Sequence, residues 1–127
     1  MSRCAYEWAT VRLVPQVHRE EFLNVGVILH SRTEEFLKAR VEPSWERLES
    51  VLPAASQETA RRHLETFVAR CHGEKLPGDP VALLPPSERF HWLTAPRSAV
   101  VQTSPVRQGL ATDLEEELER LYREQCL

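Results

Sequence analysis

A chain of 127 residues, 42% hydrophobic and 28% charged, has the size and composition of one globular domain with a core of its own. A net charge of −3 argues against a general nucleic-acid binder, although a local basic patch stays open. Three lone cysteines (Cys4, Cys71, Cys126) without CxxC spacing argue against a disulfide framework and against thiolate zinc, and read instead as thiols in a reducing cytosol.

Residues 5–14 alternate, with Tyr6, Trp8, Thr10 and Arg12 on one face and Ala5, Glu7, Ala9, Val11 and Leu13 on the other. Aromatic and β-branched residues make this a strand, ended by Pro15. A connection leads to Glu20 and Glu21, and residues 24–31 form a second strand around the apolar run Val25, Val27, Ile28 and Leu29. Polar residues from Ser31 to Glu34 supply a turn, and residues 36–42 alternate as a third strand. The three read as an antiparallel meander.

Ser44 is expected to cap a helix whose face carries Trp45, Leu48, Val51 and Leu52, with Pro53 as its stop. Ser56 is expected to cap a second helix with the stripe Ala60, Leu64, Phe67, Val68 and Cys71, stopped by Gly73. Both should pack across one face of the sheet. Between Gly73 and Pro96 come five prolines and glycines, and the stretch reads as loop with one helical turn at 81–84, tacked to the core by Phe90, Trp92 and Leu93. Residues 98–104 read as a fourth strand closed by Pro105. A last helix spans about 112–122, with Thr112 and Glu115 as capping box and Leu114, Leu118, Leu121 and Tyr122 as its buried face. Its glutamates, Glu115, Glu116, Glu117 and Glu119, read as a solvated surface. The fold class predicted is α+β: a single domain over 1–127, an antiparallel sheet of about four strands, two helices across one face and a C-terminal helix.

Four polar groups are candidates for chemistry. Glu20, Glu21 and Asn24 stand at the entrance of strand two; paired acids can bind a cation or act as acid and base, but neighbours on an extended segment point apart, so one inward acid paired with an arginine fits better. Gly26 inside a strand of bulky residues marks a bulge or a close approach, by a ring such as Trp8 or Trp92 or by a ligand. Arg89, Phe90, His91 and Trp92 could stack on a base and hold a phosphate, or serve the core and an ion pair. Gln102, Thr103, Ser104, Arg107 and Gly109 could offer backbone N–H groups to an anion. With Arg12, these give a candidate binding or structural cluster: Arg12, Glu21, Asn24, Gly26, Arg89, Trp92, Gln102, Ser104 and Arg107. The sequence carries no metal motif, no cofactor fingerprint and no assignable Ser/His/Asp or Cys/His triad. Without an apolar run near the roughly 18 residues of a membrane span, and without a signal-peptide core at its start, the chain is expected to be cytoplasmic and off the membrane.

Taken together, Val11-Arg12-Leu13-Val14-Pro15, Glu21-Phe22-Leu23-Asn24-Val25-Gly26-Val27, Arg89-Phe90-His91-Trp92-Leu93-Thr94 and Gln102-Thr103-Ser104-Pro105-Val106 resemble a bacterial family known as domain of unknown function 3037. The resemblance spans nearly the whole chain and brings no activity, cofactor or catalytic residue. It implies a HipA-like kinase as a partner. Two functions are therefore expected in competition. One is a non-enzymatic protein-interaction or accessory module. The other is a nucleotide- or nucleic-acid-binding protein, or an enzyme, with Glu21, Asn24, Arg89 and Arg107 converging in one cleft.

Overall fold

The computed structural model describes residues 2–14, 22–42, 46, 49, 50, 52–97 and 99–126. The expected helix at 44–52 rests on Ser44, Trp45, Leu48 and Val51, which lie outside the described residues, as do Glu20 and Glu21. The strands are β1 (Cys4–Leu13), β2 (Leu23–Ser31), β3 (Phe36–Val41), β4 (Val101–Thr103) and β5 (Arg107–Ala111); the helices are α1 (Ala54–Cys71), α2 (Pro86–Thr94) and α3 (Leu114–Cys126). The α+β class and the antiparallel meander hold, with a fifth strand added.

β1 is the centre of the sheet. β2 and then β3 extend it on one flank, and β4 and β5 share the other, β4 along Val11–Leu13 and β5 along Cys4–Trp8. The expected strand at 98–104 is shorter, and the expected anion loop is instead two strands whose backbone groups are engaged by β1. Ser104 explains the break between them. Its N–H donates to the Thr10 carbonyl at 2.9 Å, and its Oγ accepts from the Thr10 N–H at 2.9 Å. The hydroxyl thus stands in for a main-chain acceptor where Pro105, with no N–H, interrupts the ladder.

The strand period divides the core in two. Ala9, Val11, Leu13 and Ile28 pack with Ala60, Leu64, Phe67 and Cys71 of α1 and Phe90 and Leu93 of α2. Tyr6, Trp8, Val27 and Leu29 pack on the other face with Leu114, Leu118, Leu121 and Tyr122 of α3. Burying each large aliphatic is worth about 1.5–3 kcal/mol, so the paired layers carry the fold. A bulge sits in β2. Val11 pairs with Gly26 and Arg12 with Asn24, leaving Val25 as the extra residue. That slip sends Val25 into the α1/α2 layer and turns Asn24 to the α3 side, beside Arg12.

Several local expectations need correction. α1 begins at Ala54 behind Pro53, without a side-chain cap, so Ser56 lies inside the helix. Residues 86–94 are helical because Pro86 sits at the first helical position, where its missing N–H costs nothing. Phe90 and Leu93 of that helix are core, but Trp92 is 38% exposed. α3 is capped by Asp113, whose Oδ1 accepts from the Glu116 N–H at 3.1 Å, rather than by Thr112 and Glu115. Gly26 is covered by neither tryptophan: a Cβ there would lie 2.6 Å from the Arg40 carbonyl oxygen of β3. Gly73 does end α1, with φ of +69°.

Candidate functional site

The predicted cluster divides. Arg12, Asn24 and Gln102 form one row across β2, β1 and β4, since Arg12 pairs with both partners. Asn24 Nδ2 donates to the Gln125 carbonyl at 3.1 Å, tying the C-terminal end of α3 to the sheet. The Arg12 guanidinium lies 4.1 Å from the centre of the exposed Phe22 ring. The buried Arg12 Nε and Asn24 Oδ1 have no hydrogen-bond partner among the described residues.

The other candidates lie elsewhere. Arg107 pairs with Trp8, four residues along β1 and on the opposite flank from Asn24. At roughly 3.3 Å per residue and 4.8 Å per strand, their Cα atoms stand about 16 Å apart. Arg89 serves the helix ends, with Nη1 donating to the Leu84 carbonyl at 2.6 Å and Nη2 to the Cys71 carbonyl at 3.4 Å. Its guanidinium lies against Gly73, 3.2 Å from where a Cβ would stand. Trp92 has the guanidinium carbons of Arg97 and Arg70 at 4.2 and 4.9 Å from its ring centre. Arg70 is itself paired with Asp79 at 2.7 Å. The ring and both arginines line a cleft of about 370 Å³ with His63 and Phe67. The convergence of Asn24, Arg89 and Arg107 does not form.

A different polar array does. Glu7 and His30 are cross-strand partners on the α1/α2 side of the sheet. His30 is 2% exposed and stacks on Phe90, with ring centres 4.9 Å apart. Its Nε2 is 3.2 Å from Ser87 Oγ in the first turn of α2, and its Nδ1 is 3.5 Å from Glu7 Oε1. The latter is close approach rather than a formed hydrogen bond, because Nδ1 remains without a partner of good geometry. Burial lowers the His30 pKa, while the Glu7 carboxylate works against the shift. The imidazole is thus neutral at pH 7. Glu7 and His30 line a cleft of about 410 Å³ with Arg32, Thr33, Gln108 and Leu110. Among the described residues, no three His, Cys, Asp or Glu side chains gather to hold a metal ion.

Sequence reasoning missed this array because its members are 23 and 57 residues apart and match no motif. The one signal was Glu7 itself, an acid on the otherwise apolar face of β1.

The two sheet edges differ. At β3, the Ala39 N–H donates to His72 Nε2 at 3.3 Å, and Lys38 and Arg40 place charge on the strand and pair with Glu115 and Glu119 of α3. Such features keep an edge from recruiting another strand. β5 pairs only with β1 among the described residues, and its single charged residue is Arg107. Leu110 is 60% exposed on it. Leu110 and Ala111 border a second cleft with Asp113 and Glu116.

A family model described as a protein of unknown function, DUF3037, matches residues 8–126. No curated protein and no solved structure matches the chain.

Proposed function

We propose, for a chain that belongs to the DUF3037 family, that it works as a protein-interaction or accessory module and docks an extended segment of a partner protein on β5. The observation that carries this reading is the contrast between edges: β3 is blocked by His72, Lys38 and Arg40, whereas β5 offers a ladder that is open among the described residues, beside the exposed Leu110. The fitting segment is extended, with an apolar side chain to cover Leu110 and a basic one to meet Asp113 and Glu116 across the adjoining cleft. A HipA-like kinase is the partner that the family resemblance implies.

The test is co-expression with such a kinase, followed by hydrogen exchange on the purified complex. Amides of 107–111 should gain protection on binding, and Leu110→Lys should abolish the complex while leaving the thermal melt unchanged. A complex that survives Leu110→Lys with β5 still exchanging freely would refute strand addition.

The nucleotide or nucleic-acid reading is supported by a different observation, the Trp92 ring beside Arg70 and Arg97. Titration with short oligonucleotides should quench tryptophan emission in the parent protein and not in Trp92→Phe.

A further inference from the structure

We propose that Ser87, His30 and Glu7 form an acyl-transfer site in which Ser87 is the nucleophile, His30 its general base and Glu7 the group that orients the imidazole. The three groups needed for this relay are in order: Ser87 Oγ at 3.2 Å from Nε2, and Glu7 Oε1 at 3.5 Å from Nδ1 of the same ring. The ring has little freedom, stacked on Phe90 at 2% exposure. A neutral imidazole with its Nδ1 proton toward Glu7 leaves the Nε2 lone pair for the serine proton.

Ser87 stands at the start of a nine-residue helix with no side-chain cap. Pro86 has no N–H, and the first intrahelical bond into this turn comes from the Arg89 N–H to the Pro85 carbonyl. The N–H groups of Ser87 and Glu88 therefore precede the helical ladder, and the second follows the nucleophile directly, where a hydrogen-bond donor to the oxyanion is needed.

The chemistry favours an acyl centre over a phosphoryl one. The imidazole feels one acid, Glu7, and one guanidinium, Arg32, so the positive field that a phosphate dianion requires does not build up around the relay. The substrate class proposed is a carboxylic ester. Ser87 Oγ attacks the carbonyl carbon as its proton passes to His30 Nε2; the C–O bond to the leaving alcohol then breaks as that proton is returned to the alkoxide. Water attacks the resulting Ser87 ester by the same relay, releasing the acid and restoring the serine.

The proposal stands apart from strand addition, and neither depends on the other. Its test is mass spectrometry of the full chain after exposure to a fluorophosphonate probe, with p-nitrophenyl acetate as a second substrate. Labelling should fall on Ser87 and disappear in Ser87→Ala, whose loss of one hydroxyl is checked by circular dichroism. Because His30 is buried and its replacement can unfold the chain, the relay is tested through Glu7, whose side chain is 35% exposed. The charged and titratable groups facing His30 are Glu7 on β1, His91 on α2 and Arg32 after β2. Removing the one carboxylate in Glu7→Gln should slow labelling at least 10-fold and move the acid limb of its pH profile to lower pH; Glu7→Asp should recover part of the rate. A folded parent protein that takes no label, takes it elsewhere, or labels Ser87 with an unaltered pH profile in Glu7→Gln would overturn the assignment.

Discussion

Replacing Gly26 with alanine adds one methyl group where β2 lies against Arg40 and Val41 of β3. The new Cβ would stand 2.6 Å from the Arg40 carbonyl oxygen and 2.8 Å from Val41 Cγ1. Both are well short of the 3.4 Å at which ordinary contact begins, by about 0.8 and 0.6 Å. Val41 can turn aside, because it is only partly buried, but the carbonyl belongs to the backbone of β3 opposite Val27. Relief therefore requires β3 to shift away from β2, straining the pairing from Gly26 to Ser31. Overpacking of this kind costs about 2–3 kcal/mol. In urea the unfolding midpoint should fall by roughly 1–2 M at an unchanged slope of about 1.5 kcal/mol per M. Val41→Ala should cost less in the Gly26→Ala background than in the parent, with a coupling of about 1 kcal/mol, since it removes one of the two clashes and leaves the carbonyl in place. If Gly26→Ala unfolds within about 0.5 kcal/mol of the parent at equal slope, the glycine is not there for close approach and the reasoning fails.

Two further outcomes follow from buried polar groups. Ser104→Ala leaves the Thr10 N–H without its acceptor in the buried middle of β1 and should cost about 1–3 kcal/mol, read from the denaturation midpoint. Valine there should not restore stability, because size is not what is lost. His30, whose pKa burial lowers, binds protons more readily unfolded than folded. Stability should therefore be full above the unfolded histidine pKa near 6.5 and decline as pH falls from there toward the lower folded value. A thermal melt series from pH 8 to 5 should show that slope in the parent and a shallower one in His30→Gln.

Much of the fold is written locally. The alternation from Tyr6 to Leu13, the apolar run from Val25 to Leu29 and the stripe of α3 each hold enough residues for one period to dominate. Errors fell where one residue carries two meanings. Pro85 and Pro86 read as loop, yet proline at the first helical position starts α2 as readily as it ends another helix. Gly109 hid β5, though it sits where a Cβ would meet the Tyr6 ring at 2.5 Å, so glycine is what lets Tyr6 cross toward Glu117. The candidate cluster was only partly legible. Arg12, Asn24 and Gln102 meet because they flank the same point of the sheet, while Arg89, read as a phosphate or ion-pair group, donates to the carbonyls of Leu84 and Cys71. Neither the bulge that turns Asn24 nor the pairing that brings Glu7 to His30 has a local signature, for both depend on register between strands.

The place of β1 also sets a timetable. Its first flank is closed by β2 and β3 within residues 4–41, but its second is closed only by residues 101–111. At about 5–20 residues per second, some 4–14 s of synthesis separate the two events on a ribosome. Through that interval the central strand of the finished sheet is an edge strand, open along Cys4 to Leu13. The nascent chain is then at its most adhesive, and the arrival of Ser104 and β5 completes the sheet and ends that exposure.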